Sequence, residues 1–184
     1  VCNHIHLPVQ SGSNRILRLM NRGYTREDYL RLTDRLKEHV PCIEITTDII
    51  VGFPDESDAD FEDTMDLIDR VGYSSAYTFM YSPRAGTKAA VMENQVPEDV
   101  KKSRLSALNR LHESLLKKQN PKYIGMKGEV LVEGFMNKIK PTAFGKLPNF
   151  KMVYFDGDSS MIGKLVPVAV TGTESNSLIG QAQI

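Results

Sequence analysis

Three places in this chain bring hydrogen-bonding groups to the end of an apolar run. The first is His6-Leu7-Pro8-Val9-Gln10-Ser11-Gly12-Ser13, the second Asp48-Ile49-Ile50-Val51-Gly52-Phe53-Pro54-Asp55-Glu56, the third Tyr81-Ser82-Pro83-Arg84-Ala85-Gly86-Thr87. Gln10 and Ser11 stand just before a helix start, where free backbone N–H groups favour a ribose or a carboxylate. A lone carboxylate, Asp48, sits in an apolar setting and needs a partner, either a ligand or a neighbour such as His6. Gly52 allows a backbone or a ligand to approach closely. Arg84, beside a glycine loop, is suited to gripping a carboxylate or a phosphate. Each has a plainer reading: Ser11 and Ser13 as caps, Arg84 as a surface ion pair. His4 and His6 alternate with Ile5 and Leu7, so one strand face is polar. With no third ligand spaced nearby, they read as lining residues rather than a metal site. Arg15, Arg18 and Arg22 form a stripe on one helix face, either solvated or facing RNA phosphates.

Strands must alternate with helices to put these groups together. Strand patterns cover His4–Val9, Ile43–Phe53 and Ala76–Tyr81. Ser13, Thr25 and Ser57 read as N-caps, the latter two with capping-box acids Asp28 and Asp60. Phe61, Met65, Ile68 and Val71 share one helix face, and Gly72 ends that helix. A long helix opens at Pro97-Glu98-Asp99 and ends near Gln119, with Leu105, Leu108, Leu111 and Leu115 on one side. The order β-α-β-α-β-α predicts parallel strands with right-handed crossovers, the layout in which ligands sit at carboxyl strand ends. Three strands make half of a barrel. The chain also opens inside a strand pattern and not on Met, so a longer polypeptide with a preceding portion is expected, and the half-barrel alone would expose a strand edge.

From residue 122 helical periodicity stops. Short strands are expected at Glu129–Phe135, Lys151–Phe155, Lys164–Thr171 and Ser177–Gln183, the pattern of a small all-β barrel. The organisation is therefore residues 1–120 as an α/β half-barrel and 121–184 as the β-barrel. Lys138, Lys140, Lys146 and Lys151 fall in a stretch, Gly134 to Phe155, that contains no acid. They are the candidate contacts to an RNA backbone.

The 184 residues carry no net formal charge, so no global field points to nucleic acid or membrane. No apolar run approaches the roughly 20 residues of a membrane helix. Two cysteines without CxxC spacing make neither a disulfide framework nor a metal motif, and a cytoplasmic setting fits. Cys42, after Pro41, is expected to be buried and inert.

The motifs quoted above, with Leu19-Met20-Asn21-Arg22 and Tyr24-Thr25-Arg26, closely resemble the radical SAM methylthiotransferases, best the MiaB type that acts on tRNA. The resemblance covers nearly the whole chain and implies the second half of a radical SAM barrel followed by a TRAM domain, an OB-like RNA-binding module. In that family a reduced [4Fe-4S] cluster cleaves S-adenosylmethionine to a 5′-deoxyadenosyl radical. The radical abstracts hydrogen from C2 of N6-isopentenyladenosine at tRNA position 37, where a methylthio group is installed. The implied cofactors are S-adenosylmethionine and two [4Fe-4S] clusters, and the partners are tRNA and a sulfur donor of unknown identity. The family's CxxxCxxC motif is absent here, and Cys2 and Cys42 match neither cluster's ligands, so this stretch alone should be inactive. By resemblance, Gln10 and Ser11 approach the ribose or methionine end of the cofactor, and Asp48 and Gly52 lie under its adenosine. Arg84 meets a carboxylate or a tRNA phosphate. Leu147 replaces the polar residue expected in a TRAM loop. The alternatives are a non-catalytic RNA-binding protein with a degenerate barrel, or a methylthiotransferase for another base or a ribosomal protein.

Overall fold

A computed structural model of the chain describes residues 2–137, 140–174 and 176–183. They form two compact units, one from residues 5–41 and 45–112, the other from 2–4, 42–44 and 113–183.

The first unit is built around a three-stranded sheet, β1 (His4–His6), β2 (Glu44–Val51) and β3 (Ser75–Met80), in that order. β2 and β3 are parallel, with Asp48 opposite Tyr77 and Ile50 opposite Phe79. Helices α1 (Asn14–Leu19), α2 (Arg26–His39) and α3 (Asp58–Val71) fill the connections. The caps are those expected: Ser13 accepts from the amides of Arg15 and Ile16, and Thr25 and Ser57 each close a full capping box. Val9, Ile16, Leu17, Ile49, Leu67 and Ile68 are fully buried.

β1 is shorter than the pattern His4–Val9 implied because Pro8 interrupts the ladder. Proline has no N–H to donate. The Thr47 hydroxyl fills the gap: it donates to the Leu7 carbonyl at 2.8 Å and accepts the Val9 amide at 2.9 Å. Pairing resumes at Gln10, whose amide donates to the Asp48 carbonyl at 2.8 Å and whose carbonyl accepts from Ile50 at 2.9 Å.

Helix α4 (Glu98–Gln119) is as long as expected, but its buried face is not the leucine row. Lys101, Arg104, Leu108, His112 and Leu115 are buried, while Leu105 and Leu111 are only half-buried. The N-terminal half of the stripe is thus cationic.

In the second unit β4 (Lys127–Asn137), β5 (Pro141–Lys146), β6 (Met152–Asp156), β7 (Leu165–Glu174) and β8 (Ser177–Ala182) close into a barrel of order β4-β5-β6-β8-β7. This is the OB-like arrangement. Val130, Val132, Ala143, Val153, Phe155, Val168, Val170 and Leu178 fill its interior. β5 carries no apolar alternation because its inward residues are Ala143 and Gly145. Leu147 is 2% exposed and joins this core, which is why it is not polar.

Within the second unit Glu44 accepts from the Tyr123 hydroxyl and lies 3.5 Å from the Lys122 ammonium. The Lys151 ammonium donates to Asn120 Oδ1 at 3.0 Å and stands 5.3 Å from the centre of the Tyr123 ring. Burial holds this lysine down at about 8, although Glu44 opposes the shift and Lys122 adds to it. Burial, with the Glu44 carboxylate, pushes the Tyr123 phenol above its ordinary range. A lysine released by unfolding titrates near 10.5, so above pH 8 the unfolded chain holds the extra proton and stability rises with pH. Above about pH 10 the tyrosine reverses this, since only its unfolded form then ionises. Denaturant midpoints measured against pH should therefore climb between about pH 8 and 10, by about 2 kcal/mol at most. The climb should be absent in Lys151→Met.

Cys42 is exposed, not buried, and sits at φ 59 in the turn after Pro41. Two consecutive turn residues hold the chain outside the strand there, so the apolar run starts only after it.

Candidate binding site

A cavity of about 750 Å³ opens at the carboxyl ends of β2 and β3 in the first unit. Its size is that of a small-ligand site. Gln10 and Asp48 contribute polar groups, and Ile50, Phe53, Phe79 and Tyr81 an apolar wall; Met20 to Arg22 and the segment 82–89 border it. Phe53 and Tyr81 meet edge to face, ring centres 5.1 Å apart. The sequence reading missed this wall, although Tyr77, Phe79 and Tyr81 alternate on one face of the third strand and were its available signal.

Gln10 is held at φ 70 and Asn21 at φ 56. A side chain in this left-handed region costs about 1–2 kcal/mol. Both residues border the cavity, and at Gln10 the two ladder bonds to β2 impose the conformation. Such positions tend to gather at functional sites.

Of the partners that its sequence setting left open, Asp48 has the neighbour, His6. One carboxylate oxygen lies 3.4 Å from His6 Nε2, and the side chain remains 31% exposed toward the cavity. His6 is fixed in turn by Thr46 Oγ1 at 3.0 Å from Nδ1 and by Tyr77 edge-on at 5.9 Å.

Ser11 and Gly52 do not border the cavity; both support its frame. Ser11 is fully buried, with Oγ accepting the Ser13 amide at 3.2 Å and lying 3.4 Å from Thr64 Oγ1. Beside it Gly12 lies against α3, where a Cβ would be 2.4 Å from the Asp63 carbonyl oxygen. Gly52 turns the chain at φ 71 and donates to Glu56 Oε2 at 2.7 Å. Glu56 is buried and paired with Arg104 Nη1 at 2.7 Å, and Arg104 Nη2 reaches Asp58 at 2.7 Å. Burial pushes the Glu56 carboxyl up, opposed by the Gly52 amide and Arg104. Glu56 is therefore the residue that fixes the strand end, and Arg104 its missed partner.

The arginine stripe divides. Arg15 is exposed but bound to Asp60 and the Asp55 carbonyl, and the neighbouring Arg26 binds Asp66 and the Asp63 carbonyl. Burial raises the Asp60 carboxyl, but Arg15, Ser13 and Ser57 outweigh it and hold the group well below its usual range. Arg18 donates to the Asn14 carbonyl at 3.2 Å. Of the stripe, only Arg22 borders the cavity, as does Arg84.

On the barrel, Lys140 is exposed and Lys146 half-buried, paired with Asp156 at 2.7 Å and Glu133 at 3.3 Å. Lys151 is buried in the cluster described above and Lys138 lies outside the described residues. Phe144 and Tyr154 pair across β5 and β6 with ring centres 5.7 Å apart, and Ile179 follows on β8. These three point away from the core.

Among the described residues no group of three or more His, Cys, Asp or Glu side chains is arranged to hold a metal ion. No helix is long and apolar enough to cross a membrane, among the same residues.

Residues 1–68 match the family model of the radical SAM superfamily, and residues 121–182 that of the TRAM domain. Three similar proteins are tRNA-2-methylthio-N(6)-dimethylallyladenosine synthases. That of Moorella thermoacetica is 50% identical over 181 residues, covering 98% of this chain and 41% of the relative. That of Pelotomaculum thermopropionicum is 49% identical over 98% of this chain and 40% of its own length. That of Clostridium tetani is 50% identical, with 98% and 40% covered. The chain spans about two-fifths of the length of these relatives.

Proposed function

We propose that this chain is part of a radical SAM tRNA methylthiotransferase, to which it supplies part of an S-adenosylmethionine pocket and an RNA-docking barrel. The reaction proposed is methylthiolation of C2 of N6-isopentenyladenosine in tRNA. The observation that carries this reading is the cavity at the strand ends, where Gln10 and Asp48 stand against a wall of Ile50, Phe53, Phe79 and Tyr81. An adenosine has this mixed character: a planar apolar face and hydroxyls that an ionised carboxylate accepts. Asp48 accepts from the ribose or the ammonium end, and Gln10, locked by its backbone, offers an amide beside it. Ser11, Gly52 and Glu56 set the positions of those groups without touching the ligand. When bound, S-adenosylmethionine supplies the methyl group and, with a reduced iron–sulfur cluster, one-electron chemistry. The cluster's donor set is not found among the described residues, since Cys2 and Cys42 are both exposed and unpaired with other ligands. No step is assigned to a cluster on this chain.

In the barrel, the strands corresponding to second and third in OB-like folds are those that bind oligonucleotides. Here they are β5 and β6, which carry Lys146, Phe144 and Tyr154, with Lys140 just before β5. The lysines give salt-dependent phosphate attraction and the two rings a stacking surface for bases.

The test is equilibrium dialysis of S-adenosylmethionine against the chain and against Asp48→Ala. Loss of one charge-assisted hydrogen bond, about 1.5–3 kcal/mol, should weaken binding by about tenfold or more. Equal affinity in the two proteins would remove Asp48 from the site and the main support for this reading.

A further inference from the structure

We infer that Arg22, Arg84 and Lys88 form a clamp for the phosphates of a single-stranded RNA segment whose base enters the cavity. The inference rests on the reading of that cavity as a nucleoside site.

All three residues border the cavity and all three are exposed. None has an ion pair among the described residues, whereas the nearby Arg15, Arg26 and Arg104 are each paired with carboxylates. Arg22 is separated from the rest of its stripe by a backbone event. Asn21 enters the left-handed region, its amide still donating to the Arg18 carbonyl at 3.0 Å while that of Arg22 donates to Leu17 at 2.8 Å. The helix ends there, and Arg22 borders the cavity instead of following the helix surface. Arg84 and Lys88 are carried by one closed turn. The Arg84 carbonyl accepts both the Thr87 amide at 3.2 Å and the Thr87 hydroxyl at 2.8 Å, and Lys88 starts a 3-10 turn over Lys88–Val91. Two separately built elements thus bring three cations to one mouth.

The charge count selects the ligand. S-adenosylmethionine carries one carboxylate and two positive groups, its ammonium and its sulfonium. Three clustered cations exceed what one carboxylate calls for, and they repel the ammonium and the sulfonium. Among the described residues Asp48 is the only acid bordering the cavity, which leaves an excess of positive charge around it. A polyanion with regularly spaced phosphates matches it, and a single-stranded stretch can also present an unstacked base to the cavity beside a bound S-adenosylmethionine. The same barrel-bearing chain is proposed to hold RNA elsewhere, so the clamp adds contacts at the point where the base departs from the strand.

The experiment compares this chain with Arg22→Gln/Arg84→Gln/Lys88→Gln for binding of an unmodified tRNA anticodon stem–loop across a salt series. S-adenosylmethionine affinity is measured in parallel. Each lost phosphate contact on a single strand lowers the slope of log K against log salt by about 0.7. The slope should therefore fall by about 2, with S-adenosylmethionine affinity unchanged. Arg22→Lys/Arg84→Lys, which keeps the charges, should retain the slope. An unchanged slope in the triple variant overturns the clamp, and so does an unchanged slope with lost S-adenosylmethionine binding, which would give the cations to the small ligand. If the unaltered chain binds no S-adenosylmethionine yet the triple variant still loses slope, the clamp stands and the cofactor reading fails.

Discussion

Replacing Glu56 by alanine is expected to destabilise the chain by about 3–5 kcal/mol, the usual loss when one member of a buried ion pair is removed. Glu56 is nearly inaccessible and accepts from Arg104 and from the Gly52 amide. Without it Arg104, itself 7% exposed, keeps its Glu56 carbonyl contact and the exposed Asp58 but loses its buried counter-charge. The Gly52 amide is left unpaired at the strand end. Arg104→Met should be similarly damaging, because it buries a bare carboxylate. The double variant Glu56→Met/Arg104→Met should be less harmful than either single change. Burial already works against Glu56, and two apolar side chains remove the uncompensated charge. Urea unfolding of the four proteins decides the matter. Single variants within about 1 kcal/mol of the parent would mean that water reaches the pair and that the strand end is held by something else.

Gly145→Ala should cost about 3 kcal/mol or more, at the upper end of overpacking effects. The added methyl would stand 2.0 Å from the Leu131 carbonyl oxygen and 2.9 Å from Val130 Cγ1. The first contact is backbone, which cannot rotate away, so β4 and β5 would have to separate beside the β4 bulge at Val132/Gly134. Gly23→Ala is the control: nothing lies within 4 Å of its added Cβ, and melting should be unaffected. Thermal unfolding of both variants tests this. A Gly145→Ala barrel as stable as the parent would show that the strands have slack that their register hides.

The sequence carried the secondary structure well wherever local chemistry decided it. Capping residues at Ser13, Thr25 and Ser57 set helix starts, and the polar strand ends located the cavity through Gln10, Asp48 and Arg84. It carried less where tertiary packing decided. β5 escaped notice because Ala143 and Gly145 face a crowded barrel interior that admits only small residues. Lys151 read as a surface cation from an acid-free stretch, yet it is buried against Asn120 and Tyr123, partners 31 and 28 positions away in the chain. Periodicity marks the leucine row of α4 and not Lys101 or Arg104. Arg104 is buried against Glu56 and Lys101 donates to the Tyr81 carbonyl, partners distant in the chain that periodicity does not register. Ser11 and Gly52 stand at the strand ends but do not border the cavity, since a strand-end position fixes where a residue is and not which way it faces.

The backbone at Gln10 bears on how this chain tolerates selection for stability. Glycine would occupy φ 70 there without steric objection, so the easiest route to a firmer fold at this position removes the amide that borders the cavity. Screens that reward heat resistance alone would drift toward that exchange, and proteins improved in this way would hold their shape while losing a ligand contact. Keeping glutamine in a conformation that suits glycine is thus a place where robustness and recognition pull in opposite directions.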